Sequence, residues 1–136
     1  MSLFPVLPPQ QDVYRIATNQ TWIDPVNNKF LPDAFKLRKR DVDASSGVSV
    51  LVTEDCPALE EAARLSHRDR VRAVCSINVG RVQSLELGLN VVQDAPHHAC
   101  INGLPFAEDK GDLAEIKRVN DFAEVLADLS SVCRSS

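Results

Sequence analysis

The sequence predicts a single α+β domain over residues 1–136, with a small mixed, mostly antiparallel sheet, one short helix and a packed C-terminal amphipathic helix. Two segments support this prediction. Residues 71–79 alternate between apolar and polar positions, which is typical of a half-buried strand. Between Leu113 and Leu129, apolar residues recur at steps of three and four, and Asp112 precedes them as a candidate cap. A helix is therefore predicted over 112–134.

Short elements are predicted in the first half of the chain. Residues 1–11 contain three of the eight prolines and are expected to form an extended arm. Residues 12–18 have the composition of a short strand. Segments 34–40 and 48–52 flank a turn-rich stretch, which predicts a β-hairpin. Trp22 is expected to anchor the loop before this hairpin on the core, because a lone tryptophan gains much from burial.

The second half is organised around the strand at 71–79. Residues 58–67 place small apolar side chains on one side and charged side chains on the other, which predicts the short helix. Residues 89–93 are predicted to form a strand, 94–98 a tight loop and 99–102 a short edge strand. No repeat and no second domain are indicated.

Charge and composition restrict the classes of function. The net charge of −4 and a pI near 5.3 make non-specific nucleic-acid binding unfavourable. No apolar run approaches the roughly 20 residues that cross a bilayer, and the first residues lack the pattern of a signal peptide. We therefore expect a cytoplasmic protein with no membrane partner and no nucleic-acid partner.

The four cysteines do not have the spacing of a metal-binding motif. Cys75 falls on the apolar face of the central strand and Cys133 in the predicted C-terminal helix, where cysteine packs as a small hydrophobe. Because thiols stay reduced in the cytoplasm, we expect free thiols.

The loop at 94–100 carries groups that act near neutral pH. As a metal site it would offer Asp94, His97, His98 and Cys100, but adjacent histidines in an extended chain point in opposite directions. The sequence therefore assigns no metal site. A Cys–His nucleophile is a second interpretation, since His98 and Cys100 share one strand face. A loop whose imidazoles hydrogen-bond to the backbone is the third.

Basic residues form a second candidate site. If the predicted hairpin and the strand after the first helix are neighbours, Arg38, Arg70 and Arg72 would contribute to one positive face, suited to a phosphate or nucleotide. His97 and His98 are the other candidate binding residues. The alternative is a solvated surface that nearby carboxylates neutralise. The basic residues concerned are Lys36, Arg38, Lys39, Arg40, Arg64, His67, Arg68, Arg70 and Arg72.

The order of predicted elements suggests a further interpretation. The first strand carries Tyr14-Arg15, a later strand carries Ser49, and the helix after it carries Glu60-Glu61. In this layout, residues 12–85 resemble the RES-domain toxins, a group of NAD-consuming enzymes related in fold to ADP-ribosyltransferases. The family's glycine-rich GGRWN segment has no counterpart in this sequence. The resemblance implies that Arg15 binds a phosphate of NAD, that Ser49 lines the nicotinamide side, and that a glutamate such as Glu61 polarises the ribose.

Three hypotheses of function follow, in this order. The first is a protein that binds a partner macromolecule or ligand, with a protein partner or self-association through the arm or the C-terminal helix. The second is an NAD-consuming, ADP-ribosyltransferase-like enzyme of the toxin type, with Arg15, Ser49 and Glu61 as catalytic residues and NAD as cofactor. The third is a hydrolase or metal protein centred on His97, His98 and Cys100.

Overall fold

The computed structural model describes residues 4–136 and confirms the α+β class. Its centre is a six-stranded antiparallel sheet with the strand order β6-β7-β4-β1-β5-β8, and β2 and β3 form a separate two-stranded ribbon. The strands are β1 Asp12–Ala17, β2 Ile23–Asp24, β3 Lys29–Phe30, β4 Val48–Leu51, β5 Ala73–Asn78, β6 Asn90–Ala95, β7 His98–Asn102 and β8 Ser131–Ser135. The helices are α1 Lys39–Asp43, α2 Leu59–Ser66, α3 Val79–Gln83 and α4 Leu113–Leu129, with 3-10 turns at Gln20–Trp22 and Pro32–Phe35.

Apolar side chains pack on both faces of the sheet. On one face, Val13 and Ala17 of β1 join a large cluster that includes Leu126 of α4. On the other face, Tyr14 joins a small cluster that includes Ala62 of α2. Successive residues of a strand point to opposite faces, so β1 supplies both clusters. Because both faces are covered, Val74 is as fully buried as Ala73 and Cys75, so β5 is buried on both sides and not half-buried as its alternation predicted.

The C-terminal helix is shorter than predicted. Asp112 caps α4 as expected, because its carboxylate accepts a hydrogen bond from the N–H of Glu115 at 3.1 Å. The helix ends at Leu129, and Ser130 adopts an extended conformation. The remaining segment forms β8, which pairs antiparallel with the free edge of β5. The prediction of a helix to residue 134, with Cys133 in it, is therefore wrong at this end, because the edge of β5 offers these residues hydrogen-bond partners that helical periodicity does not reveal.

The predicted hairpin of 34–40 with 48–52 is also wrong. Pro32 starts a 3-10 turn, and α1 follows within four residues of its end. The carboxylate of Asp41 accepts a hydrogen bond from the N–H of Arg38 at 2.9 Å, which stabilises the first turn of α1. β4 does form, but its neighbours are β7 and β1.

The position of the strand predicted at 99–102 differs as well. β7 was expected at the edge of the sheet, whereas it lies between β6 and β4, and β6 occupies the edge. Ala99 and Ile101 are accordingly fully buried.

Cys56 and Cys133 form a disulfide, and Cys75 and Cys100 are free and buried. The expectation of four free thiols is wrong for this pair. Both cysteines pack against the small cluster on the α2 face of the sheet, which brings them together from opposite halves of the chain. The bond joins the segment before α2 to β8.

The proline-rich arm lies against the domain over its described part. Leu7 is buried, and the carbonyl of Pro9 accepts a hydrogen bond from the N–H of Gly80 at 3.0 Å. Residues 1–3 of the predicted arm lie outside the described residues. Within residues 4–136, no helix has the length and apolar character that crossing a membrane requires.

Candidate functional site

A cavity of about 440 Å3 opens where the pairing between β1 and β4 ends. The register of these strands places Tyr14 opposite Leu51, and no further pair continues the ladder toward the end of β1. The cavity wall combines β1, β4, the turn at Trp22, the start of α1, the end of α2 and the turn between β6 and β7. Its ionisable residues are Tyr14, Arg15, Arg38, Arg40, Asp41, His67, Arg68, His97 and His98.

Arg15 occupies the gap between the two strands. Its Nη1 donates a hydrogen bond to the carbonyl of Ser49 at 2.8 Å, and its Nε donates to the carbonyl of Ala34 at 2.8 Å. The guanidinium thus donates to the Ser49 carbonyl the hydrogen bond that a backbone N–H of a neighbouring strand would otherwise supply. Because a guanidinium has five N–H donors, these two bonds leave donors free for a ligand.

Trp22 holds two arginines at the cavity wall. The guanidinium carbons of Arg15 and Arg38 each lie 5.0 Å from the centre of its indole ring. Such cation–π contacts are each worth about 0.5–1 kcal/mol at exposed sites and more when desolvated. Trp22 also packs against the large cluster, which confirms the prediction that it anchors its loop on the core.

Burial lowers the pKa of Arg15 to about 10, and the positive charges of Arg38 and Arg68 act in the same direction. Cys75 and Asp41 act against this effect without reversing it. Arg15 still carries its charge at neutral pH, but that charge is partly desolvated and faces two others of the same sign. An anion in the cavity would relieve this repulsion.

Some basic residues outside the cavity are neutralised by ion pairs, whereas, within residues 4–136, the four cavity arginines are not. Lys36, Lys39, Arg64 and Lys117 each form an ion pair with a carboxylate three or four residues away. Within the described chain, none of the four cavity arginines forms an ion pair with a carboxylate. Asp41, the carboxylate in the wall, accepts from the backbone of Arg38. The cavity is therefore positive although the whole chain has a net charge of −4.

The structure brings together five of the eight site residues that the sequence predicted. Arg15, Ser49, Arg38, His97 and His98 all line the cavity. Alternation along the strands places the Arg15 side chain on the face of the large cluster and the Ser49 side chain on the opposite face, beside Leu51. Arg15 consequently contacts the carbonyl of Ser49 and not its hydroxyl.

The other three predicted residues lie outside the cavity wall. Glu61 accepts hydrogen bonds from Arg64 at 3.0 and 2.5 Å on the exposed side of α2, and this partner lowers the pKa of Glu61. Arg70 is exposed in the segment before β5. The backbone N–H of Arg72 donates to the carbonyl of Ala17 at 2.8 Å, so this residue extends the hydrogen bonding between β1 and β5.

Arg40 and Arg68 belong to the cavity wall; the sequence included them in the possible positive face but not among the named binding residues. Trp22, predicted only as a structural anchor, lines the cavity as well. Arg68 follows His67, which ends α2 in the left-handed conformation with φ of 57°. The N–H of Arg68 then donates back to the carbonyl of Ala63 at 2.9 Å, as in a helix C-cap. Paired basic residues directly after a helix were the available signal, since cations are favoured at that end.

The two adjacent histidines diverge, as the sequence predicted. The Nδ1 of His97 lies 3.4 Å from the carbonyl of Val52, whereas the Nδ1 of His98 lies 2.5 Å from Oδ1 of Asp94. The Sγ of Cys100 lies 3.7 Å from Oδ2 of Asp94. Burial raises the pKa of the Cys100 thiol, and the Asp94 carboxylate raises it further. The arrangement thus does not favour a Cys–His nucleophile, which requires a stabilised thiolate.

No family model matches this chain, and no curated protein or solved structure matches it. The resemblance to the RES-domain toxins therefore stays a prediction based on the order of elements.

Proposed function

We propose that this protein binds a phosphate-bearing small molecule of nucleotide size in the cavity between β1 and β4. One observation carries the proposal: four arginines without carboxylate partners converge on one cavity of an acidic chain. Arginine is the side chain best suited to phosphate, because its planar donors match two phosphate oxygens at once. This proposal develops the first hypothesis from the sequence, that of a binding protein, by specifying phosphate-bearing small molecules as the ligands.

The cavity also has the size and preorganisation that such a ligand needs. Its volume of about 440 Å3 lies within the range of roughly 300–1,000 Å3 that small-molecule sites occupy. Arg15 is fixed by two carbonyls and Arg38 by its contact with Trp22, so part of the entropy cost of ordering these long side chains is already met in the free protein.

The experiment is calorimetric titration with inorganic pyrophosphate, AMP, ADP-ribose and NAD. Replacing a phosphate-binding arginine removes a charge-assisted hydrogen bond worth about 1.5–3 kcal/mol, so Arg38→Gln and Arg68→Gln should each weaken binding at least about tenfold. Arg70→Gln is the matched control, because Arg70 is an exposed arginine outside the cavity wall. Binding should also weaken as salt is raised. Equal losses in Arg68→Gln and Arg70→Gln, or no binding of any of the four ligands, would contradict the proposal.

A second candidate function is an NAD-consuming enzyme, with NAD as substrate. It rests on the position of Arg15 and Ser49 in the wall of the same cavity, although their side chains lie on opposite faces of the sheet and only the Ser49 carbonyl contacts the guanidinium. Glu61 interacts electrostatically with His97 of the wall but is not itself part of the wall, so the carboxylate that polarises the ribose would be Asp41. Release of nicotinamide from NAD tests this candidate directly. Activity that is lost in Asp41→Asn but retained in Glu61→Gln would establish it, and NAD that remains intact would rule it out.

Location and macromolecular partners remain proposals. The sequence predicts a cytoplasmic protein, whereas a disulfide such as Cys56–Cys133 is typical of oxidising compartments. Self-association would use an exposed strand edge, and β6 provides one that carries the exposed side chain of Val92. Light scattering of the purified protein distinguishes a monomer from a dimer built on this edge.

A further inference from the structure

The hairpin of β6 and β7 brings three different metal-ligating groups together. The register of these strands shifts between Gln93 and Ala95, which leaves Asp94 as the bulged residue. The pairing of Val92 with Cys100 puts position 94 of β6 on the same face as Cys100 and His98, and the Asp94 carboxylate accordingly contacts both side chains. His98 and Cys100 are two residues apart on β7 and therefore share one face.

The spacing of the three groups is close to that of a metal site. One oxygen of Asp94, one ring nitrogen of His98 and the sulfur of Cys100 all lie within 4.8 Å of one another. In a tetrahedral zinc site with bonds of about 2.0–2.3 Å, neighbouring ligand atoms lie about 3.3–3.7 Å apart. The hydrogen bond of 2.5 Å between Asp94 and His98 would open by about 1 Å as the ion enters. Both side chains have room for this change, since Asp94 is 50% and His98 is 36% exposed.

We propose that Asp94, His98 and Cys100 bind one Zn2+ ion, with water as the fourth ligand. The donor set selects the metal: imidazole and thiolate suit zinc, whereas magnesium and calcium take oxygen ligands. On binding, Cys100 releases its thiol proton to solvent and a zinc–sulfur bond forms. Three protein ligands and one exchangeable water are the arrangement that catalytic zinc sites use.

This site adjoins the cavity between β1 and β4 but does not depend on it. His98 belongs to both, while Asp94 and Cys100 lie outside the cavity wall. The zinc site rests on the proximity of three donors on one face of the hairpin, and the phosphate proposal rests on the arginines. Each can fail without the other.

The experiment is titration of the metal-free, non-reduced protein with Co2+, which takes the place of Zn2+ and reports its ligands by absorption. The disulfide keeps Cys56 and Cys133 from binding the ion. We expect one Co2+ per chain, tetrahedral visible bands and a thiolate-to-cobalt band in the near ultraviolet, all displaced by Zn2+. Cys100→Ala should abolish the thiolate band. Asp94→Asn and His98→Ala should each weaken Co2+ binding at least about tenfold.

His97→Ala is the matched control, because His97 is the adjacent histidine and its ring faces the carbonyl of Val52. It should bind Co2+ as the unaltered protein does. Absence of a thiolate band in the unaltered protein overturns the proposal, as does a band that persists in Cys100→Ala or an equal loss in His97→Ala and His98→Ala. Asp94→Asn alters an exposed residue and should fold, so it keeps the test decisive if Cys100→Ala proves unstable. Pyrophosphate binding that survives such a result would leave the phosphate proposal intact.

Discussion

Reduction of the Cys56–Cys133 disulfide is expected to lower the stability of the domain substantially. The bond closes a loop of 77 residues, more than half of the chain. In the chain-entropy account, a cross-link over a loop of this length removes unfolded-state entropy worth about 4.5 kcal/mol at 25 °C. For a domain of 136 residues this corresponds to a fall in Tm of about 15 °C.

The assay compares thermal unfolding with and without dithiothreitol. The unaltered protein should lose stability on reduction, whereas the double variant Cys56→Ala/Cys133→Ala should have a low Tm that the reductant does not change. This double variant is the control for effects of the reagent on the two remaining cysteines. Denaturation without reductant should expose two reactive thiols, from Cys75 and Cys100, and reduction should raise the number to four.

A Tm of the unaltered protein that dithiothreitol changes by less than about 3 °C, together with four reactive thiols before reduction, would refute this reasoning. It would also favour the cytoplasmic location that the sequence predicts. A large fall in Tm would instead mean that the protein needs an oxidising compartment to reach its full stability.

Two further substitutions test the geometry of the sheet beside the cavity. Arg15→Leu removes the two charged donors from the carbonyls of Ala34 and Ser49 and, with water from the cavity replacing part of the loss, should cost about 2 kcal/mol in urea unfolding. The free energy of unfolding of Arg15→Lys should lie between those of the unaltered protein and Arg15→Leu. Equal stability of all three proteins would contradict the role assigned to this guanidinium. Gly47→Ala should cost about 1–3 kcal/mol in the same assay, because its Cβ would lie 2.1 Å from the carbonyl oxygen of Ile101, a backbone atom of β7. Gly111→Ala is the matched control, since its Cβ would meet only a side chain, and a similar cost at both positions would contradict the argument.

Local patterns correctly predicted the elements whose own residues show a clear periodicity. The alternation at 71–79 identified β5, and the apolar stripe with Asp112 identified α4. Both patterns follow from the geometry of one element, which the sequence repeats every two or every three to four residues. Where an element depends on a distant partner, the same patterns were insufficient, as the strand β8 demonstrates.

The candidate site depends on residues from separate elements. Arg15, Arg38 and Arg68 are more than 20 residues apart in sequence. The sequence suggested a shared positive face for Arg38 and Arg68 but did not indicate that Arg15 joins them in one cavity. The sequence grouped Arg70 and Arg72 with them. In the structure the chain turns at His67, the left-handed residue that ends α2, and only His67 and Arg68 of this basic segment line the cavity.

The sequence by itself determined the α+β class, the central strand, the capped C-terminal helix and the divergence of His97 from His98. Tertiary structure alone decided the strand order, the disulfide, the gap between β1 and β4 that Arg15 fills, and the pairing of β6 with β7 that places Asp94 beside Cys100. The physical reason is the range of the interactions. Periodicity and capping act within one element, whereas neighbours in the sheet are selected by the burial and hydrogen bonding of the whole chain.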